Sequence, residues 1–281
     1  MGTMRNLVLC RAGAGSLHRE WLGDPATRSY DVWLDCFDDD GGRWVSDPAT
    51  VSVGRNTTKW PRVSALFRER PDALERYDAF WFPDDDLRVD AGGVERLFEL
   101  FHALRLQLAQ PALAEPSYWS HIVTLANDRF LARFTNFVEV MAPVFSREAL
   151  RRCLPTFARS ISGWGLDYVW PRILGDPHEG IAVLDGAPVV HTRPIGGNRW
   201  YEALGVSPQE EQERLMEQHD VALPYLYRQY GGVPAGGERN RARRSVGLGF
   251  ALRLLTGAPR PLRVRRYAMR QVRSVFGGTV G

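Results

Sequence analysis

The sequence predicts a layered α/β protein, a mostly parallel mixed sheet flanked by helices, with a helical, basic C-terminal extension. Three observations lead there. Short apolar runs ending in Gly or Asp alternate with segments of helical periodicity as far as about residue 200. The alternation stops after residue 206, where a Ser-Pro start and an acidic first turn open a helix. From position 238 onward eleven Arg face one acid, Glu238, which leaves the first 237 residues with 25 basic and 32 acidic groups inside a chain of net charge +3. The expected division is a catalytic-type domain over 1–205 and an Arg-rich extension over 206–281.

Each element follows from its local pattern. "RNLVLCRAG" and "DVWLDCF" read as strands, and the helix-like spacing of "SLHREWL" between them makes a βαβ opening. "PRVSALFRERPDALERY" reads as helix, broken in two by Pro71. "DAFWFP" is the next strand and runs straight into Asp84, Asp85 and Asp86. In "GGVERLFELFHALRLQL" the residues Val94, Leu97, Phe98, Phe101, Leu104 and Leu108 recur at helical spacing. "TNFVEVMAPVFS" reads as strand, "REALRRCLPTF" as helix, and "IAVLDGAPVVH" as two strands around an Asp-Gly turn. "SPQEEQERLMEQHDVALPYLYRQY" is helical, and the Gly-rich "GGVPAGGE" reads as a linker.

With 44 % hydrophobic and 25 % charged residues the chain has globular composition, which excludes wholesale disorder. Cys10, Cys36 and Cys153 fit neither a disulfide framework nor a zinc knuckle, so a reducing compartment is expected. No apolar run reaches the length of a signal h-region or a membrane span, and the expected location is cytoplasmic. The tail clusters Arg239, Arg241, Arg243 and Arg244 around "VGLGFALRLL", then Arg263, Arg265 and Arg266. This composition fits a helix lying on an anionic membrane face; it equally fits nonspecific nucleic-acid contact or a solubilising end. No specific nucleic-acid partner is expected.

Three adjacent carboxylates repel one another and resist desolvation, so they either hold a cation or sit in water. At the carboxyl end of a strand in an α/β sheet they occupy the place where ligands collect. Alternation turns Asp84 and Asp86 to one side and Asp85 to the other, so the first and third suit one Mn²⁺ or Mg²⁺. The bland reading is a solvated turn. In "SGWGLDYVWPRIL", Gly163 and Gly165 permit a tight backbone around Trp164 and present Asp167 at a helix start, where a dipole-stabilised Asp is the alternative. "VVHTRPIGG" ends a strand in His191, a third ligand for Mn²⁺ or a structural residue, followed by Arg193.

The blocks "NLVLCRAGAGSLHREWL", "KWPRV", "YDAFWFPDDDL", "QPAL", "SYWSHIVT", "TNFVEVMAPVFS", "SGWGLDYVWP" and "HTRPIGG", in that order, resemble the family catalogued as domain of unknown function 707. The order of Asp-X-Asp, Gly-Trp-Gly-X-Asp and a strand-ending His is similar to metal-dependent glycosyltransferases of the GT-A fold. That resemblance implies a GT-A-like nucleotide-diphospho-sugar transferase fold and a hexosyltransferase-like activity. It implies Asp84, Asp86 and His191 as ligands of Mn²⁺ or Mg²⁺, and Asp167 as the base of an inverting transfer from a nucleoside-diphosphate sugar to a glycan or lipid-linked acceptor. The alternative is a glycan- or nucleotide-binding scaffold without catalysis. Donor contacts are expected from Arg11, Ala12 and Gly13 after the first strand, from Asp85, and from Lys59, the one Lys beside 35 Arg. Acceptor contacts are expected from Trp164, Gly165, His121, Glu139 and Arg193, with core or ion-pair roles as the competing readings. Glu139, an acid inside an apolar run, is costly unless paired.

Overall fold

The computed structural model describes residues 5–38, 41–194, 201, 204–222 and 225–236. The strands are β1 (Asn6–Ala12), β2 (Tyr30–Cys36), β3 (Thr50–Val53), β4 (Ala79–Trp81), β5 (Leu87–Arg88), β6 (Leu108–Leu113), β7 (Phe130–Thr135), β8 (Val144–Ser146), β9 (Ile181–His191) and β10 (Gln229–Pro234). The helices are α1 (Lys59–Glu69), α2 (Ala73–Arg76), α3 (Gly93–Ala103), α4 (Arg147–Phe157) and α5 (Leu166–Leu174), then Pro208–Gln218. One sheet runs in the order β10-β7-β9-β6-β8-β4-β1-β2-β3, with β5 paired to the end of β9. β3, β2, β1 and β4 are mutually parallel, β8 is reversed between β4 and β6, and β6 runs parallel to β9. β4 and β9 therefore finish on the same edge of the sheet.

Alternation along the strands explains why their sequences are apolar throughout. Val8 and Cys10 of β1 and Trp81 of β4 enter one core with Phe98 and Phe101 of α3. Leu7 and Leu9 of β1 and Phe80 of β4 enter the other, with Phe82, Trp60 of α1 and Trp170 of α5. Both faces are covered, as in doubly layered sheets. Cys10, Cys36 and Cys153 are all buried. No helix among the described residues is long and apolar enough to cross a membrane.

Several sequence expectations are corrected by tertiary contacts. "SLHREWL" forms only a 3₁₀ turn at His18–Glu20, because His18 is held between Ser16 and Asp47 and Trp21 reaches across to the Leu87 carbonyl. α3 ends at Ala103; Arg105 takes a positive φ of 53°, and Leu108 already starts β6. "TNFVEVMAPVFS" is strand only at its two ends. Between them Asn136 bonds the Leu226 carbonyl and the Arg228 amide, which ties residues 136–143 into a loop against the C-terminal segment. "IAVLDGAPVVH" makes no hairpin and runs as the single strand β9. Asp185 within it accepts from Arg133 at 2.7 and 2.8 Å and from the Asn127 amide at 2.9 Å, and the strand bulges against β6 there.

The expected boundary at residue 205 is not where the domain stops. The helix Pro208–Gln218 packs on α5, and "GGVP" is no linker but part of β10, paired antiparallel with β7. Ser207 caps that helix through the Glu210 amide, as its sequence suggests. The basic clusters beyond residue 236 lie outside the described residues.

Arg133 and Asp185 are both inaccessible to solvent, so removing either charge strands the other. Asp185→Ala is expected to cost about 3–5 kcal/mol in chemical denaturation. A loss below about 1 kcal/mol would mean that the pair does not hold the β7–β9 seam.

Candidate functional site

The triplet leaves the sheet where β4 ends. The Phe82 and Asp84 amides still donate to the Pro143 and Met141 carbonyls at 2.9 and 2.8 Å, then the chain turns at Asp85 and Asp86 into β5. β5 pairs with β9 in the register Leu87 to His191. Both the Thr192 amide (3.1 Å) and hydroxyl (2.8 Å) donate to the Asp86 carbonyl, which locks the crossing.

Each carboxylate meets a different partner. Asp86 Oδ2 lies 3.2 Å from His191 Nε2, while Asp86 Oδ1 is buried with no hydrogen-bond partner. His191 Nδ1 is 2.8 Å from the Tyr118 carbonyl, which can only accept, so the proton on that nitrogen is fixed and Nε2 faces Asp86. Burial pulls this imidazole down, but the hydrogen bond and charge of Asp86 outweigh it and raise its pKa to about 9. Asp84 Oδ1 accepts from Lys59 Nζ at 2.7 Å, and the ammonium spends its other donors on the Val140 and Met141 carbonyls, both at 3.0 Å. Protein crowds Asp84 and burial raises its pKa against the pull of Lys59, yet 42 % of its side chain is accessible, so it meets solvent. Asp85 accepts from the Gly13 amide at 2.8 Å and pairs with Arg193 at 3.2 Å. Arg193 also donates to the Gly15 carbonyl, so Asp85 and Arg193 clamp the loop after β1 to the segment after β9.

Asp167 is the second residue of α5. Gly163 and Gly165 both have positive φ, 85° and 98°, and a Cβ on either would strike Trp60 or the backbone of Gln212. Side chains rarely adopt that region, so the tight approach needs glycine. It leaves Asp167 5 % exposed, with Oδ1 unpartnered, beside a half-buried Trp164. Burial, reinforced by the charge of Glu139, raises the Asp167 pKa well above the usual carboxylate range. Glu139 stands in the loop after β7, its amide held by Gln110 Oε1 at 2.5 Å. Its Oε2 is buried without a partner, and burial raises its pKa to about 7. Its Oε1 lies 3.9 Å from His121 Nε2, and the charge of His191 pulls against the burial.

At the donor end, the Arg11 guanidinium is committed to Asp35 (3.1 Å) and to the Gly54 and Thr57 carbonyls (2.9 and 3.0 Å). Arg11, Ala12 and Gly13, expected to border a nucleotide, are all buried. The accessible surface there begins at Ala14 and at Phe37, which is 42 % exposed.

Two of the three expected metal ligands meet, Asp86 and His191; Asp84 is turned to Lys59. Among the described residues no three His, Cys, Asp or Glu side chains are gathered tightly enough to ligate one ion. The donor set nonetheless fits a divalent cation at Asp86 and His191. Asp86 Oδ1 is orphaned, and the imidazole is oriented from behind by a carbonyl, the outer-shell arrangement of metal-binding histidines. Carboxylate oxygens with one imidazole suit Mn²⁺.

Tyr118, expected with Trp119 and His121 to offer an aromatic face to an acceptor, instead presents its carbonyl to His191. Gln110 and Tyr227 carry no signal in the sequence and are brought in by long-range packing.

The family described as "Protein of unknown function (DUF707)" matches residues 125–223, about a third of the chain. None of the curated proteins matches the sequence. Among solved structures, GalNAc-T7, crystallised with UDP, GalNAc and Mn²⁺, aligns over 76 % of this chain at 12 % identity and a TM-score of 0.51. The chain spans 48 % of that protein, about half its length. S. aureus TarS 1-349 in complex with UDP-GlcNAc aligns over 98 % of this chain and 73 % of its own, at 10 % identity and a TM-score of 0.46. The fold is therefore that of the GT-A glycosyltransferases.

Proposed function

We propose that the protein transfers a sugar from a nucleoside-diphosphate donor to a hydroxyl acceptor with inversion, using Mn²⁺ or Mg²⁺ held by Asp86, His191 and Asp84. The observation that carries this reading is the set of three buried carboxylate oxygens without partners, Asp86 Oδ1, Glu139 Oε2 and Asp167 Oδ1. Buried polar atoms are nearly always satisfied, so these orphan oxygens, two of them on the interacting pair Glu139 and Asp167, support a reading in which ligand atoms complete them. The GT-A fold, and the UDP and GalNAc crystallised with GalNAc-T7, support this substrate class.

The bound cation would neutralise the charge that develops on the departing nucleoside diphosphate. Lys59 adds a fixed positive charge beside Asp84. Asp167 accepts the proton of the attacking hydroxyl; the burial that raises its pKa also makes it the stronger base. Gly163 and Gly165 hold it in place, so the base does not reorganise during the reaction.

Two measurements check this. UDP with Mn²⁺ should raise the melting temperature of the wild-type chain more than either alone, by the equivalent of about 2.7 kcal/mol at 100 times Kd. His191→Ala and Asp86→Asn should remove the metal-dependent part; stabilisation that survives both changes would place the ion elsewhere. Asp167→Asn should lower transfer from UDP-GlcNAc about 10²–10⁴-fold while UDP affinity stays within about 3-fold. An active Asn variant would retire Asp167 as the base.

A further inference from the structure

Inverting glycosyl transfer requires one base, yet Glu139 and Asp167 each carry a buried carboxyl oxygen without a partner. Once the Asp86 oxygen is assigned to a cation, Glu139 Oε2 and Asp167 Oδ1 remain. The two groups are close enough for the charge of Glu139 to act on Asp167. Burying two like-charged acids together is costly unless a ligand donates to both.

A chain of side chains that starts next to Asp167 ends facing Glu139. Tyr168, its neighbour in α5, has its hydroxyl 2.9 Å from that of Tyr227. The Tyr227 hydroxyl lies 2.9 Å from His121 Nδ1, and His121 Nε2 faces Glu139 Oε1 at 3.9 Å. Phe137 packs against His121, Tyr168 and Tyr227, with ring centroids 4.5, 5.3 and 4.8 Å apart. Burial lowers the His121 pKa to about 4, so the imidazole is a neutral spacer, and the positive charge that acts on Glu139 is that of His191. α5, the loop after β7, the loop carrying His121 and the segment before β10 all contribute to this chain.

We propose that Glu139 and Asp167 together grip two neighbouring hydroxyls, so that the acceptor is a sugar with adjacent free hydroxyls, and that His121 and Tyr227 are positioning residues for Glu139. The proposal rests on the glycosyl-transfer reading above. Asp167 takes the reacting hydroxyl and Glu139 the hydroxyl on the adjacent carbon. A lone alcohol, such as a serine side chain or a polyprenol, satisfies one oxygen and strands the other, and a site built to hydrogen-bond a hydroxyl discriminates strongly against a ligand lacking it.

The test uses the full chain with UDP and Mn²⁺ and titrates methyl hexopyranosides, their monodeoxy analogues and a serine peptide, followed by ligand-observed NMR and calorimetry. The wild type should bind at least one hexoside about 10-fold or more tightly than its monodeoxy analogue and the peptide. Glu139→Gln and Tyr227→Phe should weaken that hexoside while UDP affinity and melting temperature hold, and Glu139→Asp should recover less than the wild type. UDP binding without any preference for adjacent hydroxyls would overturn the inference and leave the nucleotide-sugar reading standing. Unchanged hexoside affinity in Glu139→Gln would likewise overturn it. Absence of both UDP and hexoside binding would overturn both.

Discussion

The two-residue pairing of β5 with the end of β9 is the constraint on which the site depends. It sets Leu87 opposite His191 and so brings Asp86 to an imidazole more than a hundred positions away. The strand is short because the chain turns at Asp85 and Asp86 immediately before it, and the Asp86 carbonyl is pinned twice by Thr192. Asp85 repeats the clamp at the next layer by joining the Gly13 amide to Arg193. Three acids in a row are thus separated by geometry. Each is directed at a different neighbour, and the repulsion that their adjacency implies is relieved by Lys59, His191 and Arg193.

Around this knot the fold concentrates desolvated charge. Glu139 and Asp167 lie within two residues of Phe137 and Tyr168, which share one buried cluster with Tyr227. Their burial raises both pKa values and leaves oxygens without partners, a cost that a purely structural acid would avoid by pairing. Elsewhere in the same sheet buried acids are fully paired, Asp185 with Arg133 and Asp35 with Arg11 and Arg62. The contrast separates the acids that hold the fold from those left with an unpartnered oxygen.

The sheet was largely legible because strands covered on both faces read as unbroken apolar runs, and α1, α3 and α4 begin where their periodicity begins. The glycines around Trp164 announced a tight turn into Asp167, and the turn is there. What local pattern could not supply was set by distant partners. Asp-Gly at 185–186 signals a hairpin, but two bonds from Arg133 outweigh the turn preference and keep β9 continuous. Residues 229–234 are rich in glycine and read as a linker until β7 offers them an edge. Arg11 follows a strand end, as ligand-contacting residues do, yet Asp35 across the β1–β2 register claims its charge. The orphaned oxygens carry no sequence signature, because lacking a partner is a property of the packed interior alone.

The central claim is that Asp86 and His191 separate from one another to hold an ion with the diphosphate. A crystal grown with UDP and Mn²⁺, measured at the manganese absorption edge, tests it most directly. The account predicts one anomalous peak touching His191 Nε2 and a carboxylate oxygen of Asp86, with the imidazole still donating from Nδ1 to the Tyr118 carbonyl. UDP bound in the cleft while His191 and Asp86 remain paired, with manganese absent from both, would contradict it.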